Sequence, residues 1–141
     1  MFTDKNIVLI VSGGVAAYKS AIFARLLMKQ GANVKVVMTQ AATEFVTPKT
    51  FEALTQHPVV TDLFDAHNES MIAHVSLADW ADYILVVPAT ANILAKMAAG
   101  IGDDAASSVL LARHTPVIVA PAMNGLDNHC RLVFNFFCDI Y

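Results

Sequence analysis

The stretch Tyr83-Ile84-Leu85-Val86-Val87-Pro88-Ala89-Thr90-Ala91-Asn92 decides the fold. Tyr83–Val87 is a short apolar run of the kind a buried strand carries. It breaks at Pro88 into small residues, a hydroxyl and an amide. A helix is predicted from there over Ala91–Ala99, closed by Gly100. A second ending of the same kind, Pro121-Ala122-Met123-Asn124, follows the apolar run Pro116–Ala120. Each ending places small side chains, a turn and an amide at the carboxyl end of what reads as a buried strand. In open α/β sheets that edge is where ligands sit.

Working outward, Ile7–Val11 and Val34–Met38 read as two more buried parallel strands. Ser12-Gly13-Gly14 breaks the first. Val15–Gln30 then has helical spacing, with Ala17, Ala21, Ala24, Leu27 and Met28 on its apolar side and Gly31 as its stop. Thr39 to Phe45 predicts a turn into a short helix cut by Pro48, and Thr50–Thr55 a further helical turn. His57 to Phe64 reads as irregular, with room for an edge strand, and Asp65–Met71 as a polar loop. His74–Ala81 begins as a helix with Ser76 as its cap, and Asp104–Arg113 is another helix. Strands alternating with helices predict an α/β fold, a three-layer αβα sandwich of Rossmann or flavodoxin-like type with a mostly parallel sheet. The pattern holds over residues 1–124. It fails over 125–141, an atypical or truncated C-terminal tail whose Val133–Phe137 is very apolar.

The 141 residues suit one domain. Hydrophobic residues make up 56% and charged residues only 15%, below the quarter or more that soluble surfaces usually carry. No apolar run reaches the roughly 18 residues of a membrane span, so the excess apolar surface is expected between subunits of a homo-oligomer rather than in lipid. A net charge of −3 without a basic cluster argues against nucleic acid. The amino terminus lacks the regions of a signal peptide, and Cys130 and Cys138 have no C-x-x-C spacing. Both point to a reducing, cytoplasmic setting.

Several constellations could carry chemistry. Ser12-Gly13-Gly14-Val15 joins a strand to a helix. Glycines there let amides approach an anion at a helix start, with Ser12 adding a hydroxyl, or they serve the turn alone. A dinucleotide site would also need an acidic residue at the end of the second strand. That place is held by Met38-Thr39-Gln40, which favours a mononucleotide. Thr90 and Asn92 either bond ring heteroatoms or cap the helix. Asn124 is either a turn residue or an amide that grips a carboxylate. His74 is a lone histidine, structural or catalytic. His57, His67, His114 and His129 show no metal spacing with it, so no metal site is expected. Asp103-Asp104 reads as capping of the helix that follows.

Taken together, Ser12-Gly13-Gly14-Val15-Ala16-Ala17-Tyr18-Lys19, His74 with Leu77, Trp80-Ala81-Asp82 and the two Pro-Ala endings resemble the flavin-dependent cysteine decarboxylases. Within them the chain is most similar to the bacterial branch that acts on 4′-phosphopantothenoylcysteine in coenzyme A synthesis. The resemblance runs from about Lys5 to Asn124. It implies FMN bound between the subunits of a homotrimer, often a dodecamer of trimers. Gly13, Gly14, Val15 and Thr39 would line its phosphate and ribityl chain. Thr90, Ala91, Asn92, Ile93 and Ala122 would surround its ring. His74 would be the catalytic acid or base, and Asn124 would hold the substrate carboxylate. The chemistry implied is oxidation of the thiol side to a thioaldehyde, loss of CO2 into that electron sink, and return of the hydride to the enethiol.

The chain departs from the family pattern after Asn124. Gly125-Leu126-Asp127-Asn128 stands where the family has a Met-Trp ending. The family's proton-donating cysteine lies in a later segment, and since Cys130 and Cys138 are not in that motif the resemblance carries the role to neither. Alternative readings are a flavin-binding subunit without decarboxylase activity and a decarboxylase of peptidyl cysteine. A flavin prenyltransferase ranks last, because no basic cluster awaits a prenyl phosphate.

Overall fold

The computed structural model describes residues 2–64 and 73–123. Asn124, the tail 125–141 and the loop expected over Asp65–Met71 lie outside the described residues.

The chain opens with β1 (Asn6–Val11), α1 (Ala17–Lys29) and β2 (Asn33–Met38), a first βαβ unit. Two short helices follow, α2 (Gln40–Thr43) and α3 (Pro48–Thr55). Pro48 opens α3 at its first position rather than cutting a helix, because a proline's missing amide hydrogen is not needed there. Then come α4 (Ala73–Trp80), β3 (Tyr83–Ala89), α5 (Ala91–Ala99), α6 (Ala105–Ala112) and β4 (Val117–Pro121). Helix α4 starts at Ala73, so Ser76 lies inside it and does not cap it. Its side chain faces solvent. The irregular stretch after α3 adds one parallel bridge, Val37 with Val60, on the side of β2 away from β1.

The sheet is parallel, in the order β2-β1-β3-β4. Successive residues of a strand face opposite sides, and β1 divides accordingly. Ile7, Leu9 and Val11 pack under α1, α2 and α3 with Leu27, Met38 and Phe51. Val8 and Ile10 pack under α4, α5 and α6 with Leu77, Ile93 and Val109. These two cores make the three-layer αβα sandwich. The first connection runs from β1 to β2 on one side, and the chain then crosses to β3 on the other. The carboxyl ends of β1 and β3 therefore flank the switch point, where such sheets open a crevice.

β4 corrects one expectation. Among the described residues it stands at the sheet's edge rather than inside it, with Ile118 53% exposed and Ala120 and Pro121 also exposed. Among the described residues it pairs with β3 alone.

Candidate functional site at the switch point

The strand endings are joined by hydrogen bonds that take over where regular pairing stops. β1 and β3 pair as far as Ile10 with Val86. Beyond that, Ser12 Oγ donates to Pro88 O at 2.5 Å and accepts from Thr90 N at 3.0 Å. Ser20 Oγ on α1 donates to Val87 O at 2.6 Å. Both serines are buried. On the flanks, Thr39 N donates to Val11 O at 3.1 Å and Ala122 N to Ala89 O at 3.0 Å. Ser12 has one hydroxyl proton, and it goes to Pro88. The donor expected for a ligand is thus committed within the chain, and Ser12 acts by fixing Thr90.

Two cavities open on either side of this seam. The first, about 590 Å³, is walled by Gly13, Gly14, Val15 and Ala16 from the first turn. Pro88, Thr90, Ala91 and Asn92 come from the end of β3, and Ala122 and Met123 from the end of β4. Its size falls within the roughly 300–1,000 Å³ of small-molecule sites. The second, about 240 Å³, is walled by Ser12, Gly13, Thr39, Gln40 and Ala41 on one side. Thr90, Asn92, Ile93, Lys96 and Asp104 form the other side. Gly13, Thr90 and Asn92 belong to both walls. The structure thus brings the first turn, Thr39, the start of α5 and Ala122 together at one crevice. His74, half-buried at the second position of α4, lines neither cavity in its own chain.

The two turn glycines differ. A Cβ on Gly13 would lie 2.7 Å from the carbonyl carbon of Ala41 and collide with that residue's own Cβ. The packing of α2 therefore already demands glycine there. A Cβ on Gly14 would meet only Thr90 Cγ2, at 3.4 Å. The fold tolerates a side chain at Gly14, and the space it would fill belongs to the larger cavity.

Polar groups are few and placed by caps. Thr90 caps α5 by accepting from Ile93 N at 3.5 Å. Thr39 caps α2 by accepting from Ala42 N at 3.2 Å, and it lies in the wall of the second cavity. Asn92 is exposed in the first turn of α5. A wall of glycines and alanines beside a threonine hydroxyl, an amide and helix-start amides suits a flat heteroaromatic ring on a polar chain. No cluster of metal-ligating side chains occurs among the described residues, and no helix there is long and apolar enough to cross a membrane.

Lys96 and Asp104 were not foreseen in the wall. Lys96 Nζ bridges Asp103 Oδ1 at 2.9 Å and Asp104 Oδ2 at 3.2 Å. The hydrogen bond to Asp103 raises the Lys96 ammonium above its ordinary value against the pull of burial, with Asp104 adding to it. Burial pushes the Asp104 carboxyl up, yet Ser107 and Lys96 outweigh it and hold it below its ordinary value. The available signal was spacing: Asn92 and Lys96 stand four apart on one helix, hence on one face.

Known proteins agree with this geometry. The flavoprotein family model matches residues 1–132. The coenzyme A biosynthesis bifunctional protein CoaBC of Bacillus subtilis is 52% identical over 124 residues, 88% of this chain and 30% of that protein. CoaBC of Vibrio cholerae is 50% identical over 120 residues, 85% of this chain and again 30% of its own length. This chain thus spans under a third of these curated relatives. Among solved structures, the FMN-dependent cysteine decarboxylase SpaF superposes with a TM-score of 0.87 at 35% identity, covering 94% of this chain and 77% of its own. A PPC decarboxylase variant complexed with pantothenoylaminoethenethiol does so at 0.81 and 27%, covering 96% and 76%. With the doubly wound sheet, the crevice at its switch point and a family match over nearly the whole chain, this protein belongs to the flavoprotein family.

Proposed function

We propose that the chain binds FMN at the switch-point crevice and decarboxylates 4′-phosphopantothenoylcysteine, the reaction that coenzyme A synthesis needs. One observation carries this reading. The glycine turn and both Pro-Ala endings, far apart in sequence, wall a single cavity lined by small residues. The similarity to the CoaBC proteins supports the choice of substrate.

FMN, when bound, supplies a two-electron acceptor for oxidation of the thiol side. The chain's residues do the rest. Gly14, Ala91 and Ala122 would keep the wall flat for the FMN ring. Thr39 would offer a hydroxyl proton to its polar chain. Asn92 and the first amides of α5 would supply hydrogen bonds to its heteroatoms. His74 moves the proton as acid or base, an imidazole being suited to that near neutral pH, and Asn124 holds the substrate carboxylate.

The site is completed by a homo-oligomer, a trimer or a dodecamer of trimers. Val15, Tyr18, Ile22 and Leu26 support this. Tyr18, Ile22 and Leu26 follow one another at helical spacing along one side of α1, Val15 stands just before its start, and each is more than half exposed. A contiguous apolar stripe of that kind is ordinarily covered by another subunit. A reducing, cytoplasmic setting goes with this reading.

The test is purification of the chain with flavin absorbance recorded during size-exclusion chromatography, followed by CO2 release from 4′-phosphopantothenoylcysteine. Yellow protein at trimer size or larger that releases CO2, with release lost in His74→Asn, is the expected result. Yellow protein inert toward the substrate would leave a flavin-binding subunit without decarboxylase activity, and colourless protein would overturn the reading.

A further inference from the structure

Lys96 has no part in the proposed reaction, yet its surroundings are built. It stands one turn after Asn92 on the cavity-facing side of α5, and its side chain is only 18% exposed. Its partner Asp104 is immobilised from the other side. Asp104 Oδ1 accepts from Ser107 N at 2.7 Å and Ser107 Oγ at 2.6 Å, and Ser107 Oγ accepts in turn from Asp104 N at 3.1 Å, a complete capping box at the start of α6. The Lys96 bridge therefore runs from the cavity face of α5 to a fixed point on the neighbouring helix.

Helix α5 has nine residues, too few to hold by itself, and Ile93 and Leu94 anchor its inner face in the core; on its cavity face it is held by polar contacts. Ser12 fixes its start through the Thr90 amide, and Lys96 fixes its middle. Direct use of Lys96 on an anion is disfavoured by charge, since one ammonium already faces two carboxylates.

We propose that Lys96 is a positioning residue for the crevice: through Asp104 it holds the first turn of α5, and so Thr90 and Asn92, in the arrangement that receives the ligand. This rests on the flavin reading above for the identity of that ligand. Lys96→Met removes the bridge. Asp103→Asn combined with Asp104→Ser removes both carboxylate partners of Lys96 while keeping a good helix cap, and this double variant carries the same test should Lys96→Met fail to fold. Two readouts are taken on the full chain: hydrogen exchange at the Ile93 and Leu94 amides without ligand, both of which are bonded to Thr90, and titration with FMN well below the unfolding temperature.

Both variants should speed exchange at these amides and weaken FMN by about tenfold, with a shifted flavin absorption band, as expected when a positioning contact is lost. Lys96→Arg, which can still meet the carboxylates, should stay within about twofold on each. A lower unfolding temperature with unchanged exchange and unchanged FMN affinity would overturn the proposal, leaving Lys96 a purely structural residue. Wild-type chain that ignores FMN would overturn the flavin reading instead, and the exchange data would still decide whether Lys96 holds α5.

Discussion

β1 is buried along its whole length after Asn6, whereas β4, equally apolar in sequence, leaves more than half of Ile118 in solvent. The difference is one of neighbours. β1 has a strand on both sides and helices on both faces. β4 is paired on one side among the described residues. The crevice draws on both: one wall is pinned by the serine hydroxyls, and the other, at Ala122 and Met123, is held by the Ala122 N–H bond to Ala89 O and by Met123 against the core. Hydrogen bonding at the β1–β3 seam is accordingly dense, with two buried serine hydroxyls serving consecutive carbonyls. At the β3–β4 seam the register slips between Val86 and Ala89.

The largest expected contrast sets the two strands against each other. Ile10→Ala should cost about 2–5 kcal/mol by leaving a cavity in a fully packed core, and Ile118→Ala about 1 kcal/mol or less. Urea unfolding of both variants measures it, and equal costs would mean that β4 is covered as thoroughly as β1. Next comes the pinned seam. Ser12→Ala strands Pro88 O and Thr90 N and should cost about 1–3 kcal/mol while also weakening FMN. A loss of stability without a loss of affinity would separate Ser12 from the site.

The glycine pair sharpens the same comparison within one turn. Gly13→Ala should destabilise by about 1–3 kcal/mol through overpacking against Ala41. Gly14→Ala should leave unfolding almost unchanged and weaken FMN by about tenfold, close to 1.4 kcal/mol of binding. Flavin titration of both variants reads this, and a Gly14→Ala chain that binds normally would move the ring away from that wall.

The smallest effect is in pH. Asp104 titrates below its ordinary 3.8 in the fold, so its contribution is present above that value and is lost as pH falls through the lowered one. Lys96 titrates above its ordinary 10.5, so its contribution is present below that value and fades as pH rises through the raised one. In Asp104→Ser the acid limb of the urea midpoint against pH should flatten. An unaltered limb would place the acid sensitivity elsewhere.

Much of this was legible in the chain itself. The apolar runs of β1, β2 and β3, the helix from Ala91 to its left-handed stop at Gly100, and Asp104 as a cap follow from local rules of spacing and backbone freedom. Ser76 misled, because a hydroxyl marks a cap only where the backbone leaves the helix, and α4 is already under way at Ala73. The crevice was foreseen as a set of residue types, since small side chains and amides after a strand report a carboxyl-end turn wherever they occur.

Local sequence thus determined the strands, the helices and the residue types at the sheet's carboxyl edge, because those depend on periodicity and on neighbours in the chain. Tertiary structure alone decided that β4 takes the edge among the described residues, that Ser12 spends its proton on Pro88, that Gly13 answers to Ala41 while Gly14 meets only Thr90, and that Lys96 reaches Asp104. Each of these depends on which groups meet across the fold, and strand order and side-chain reach set that.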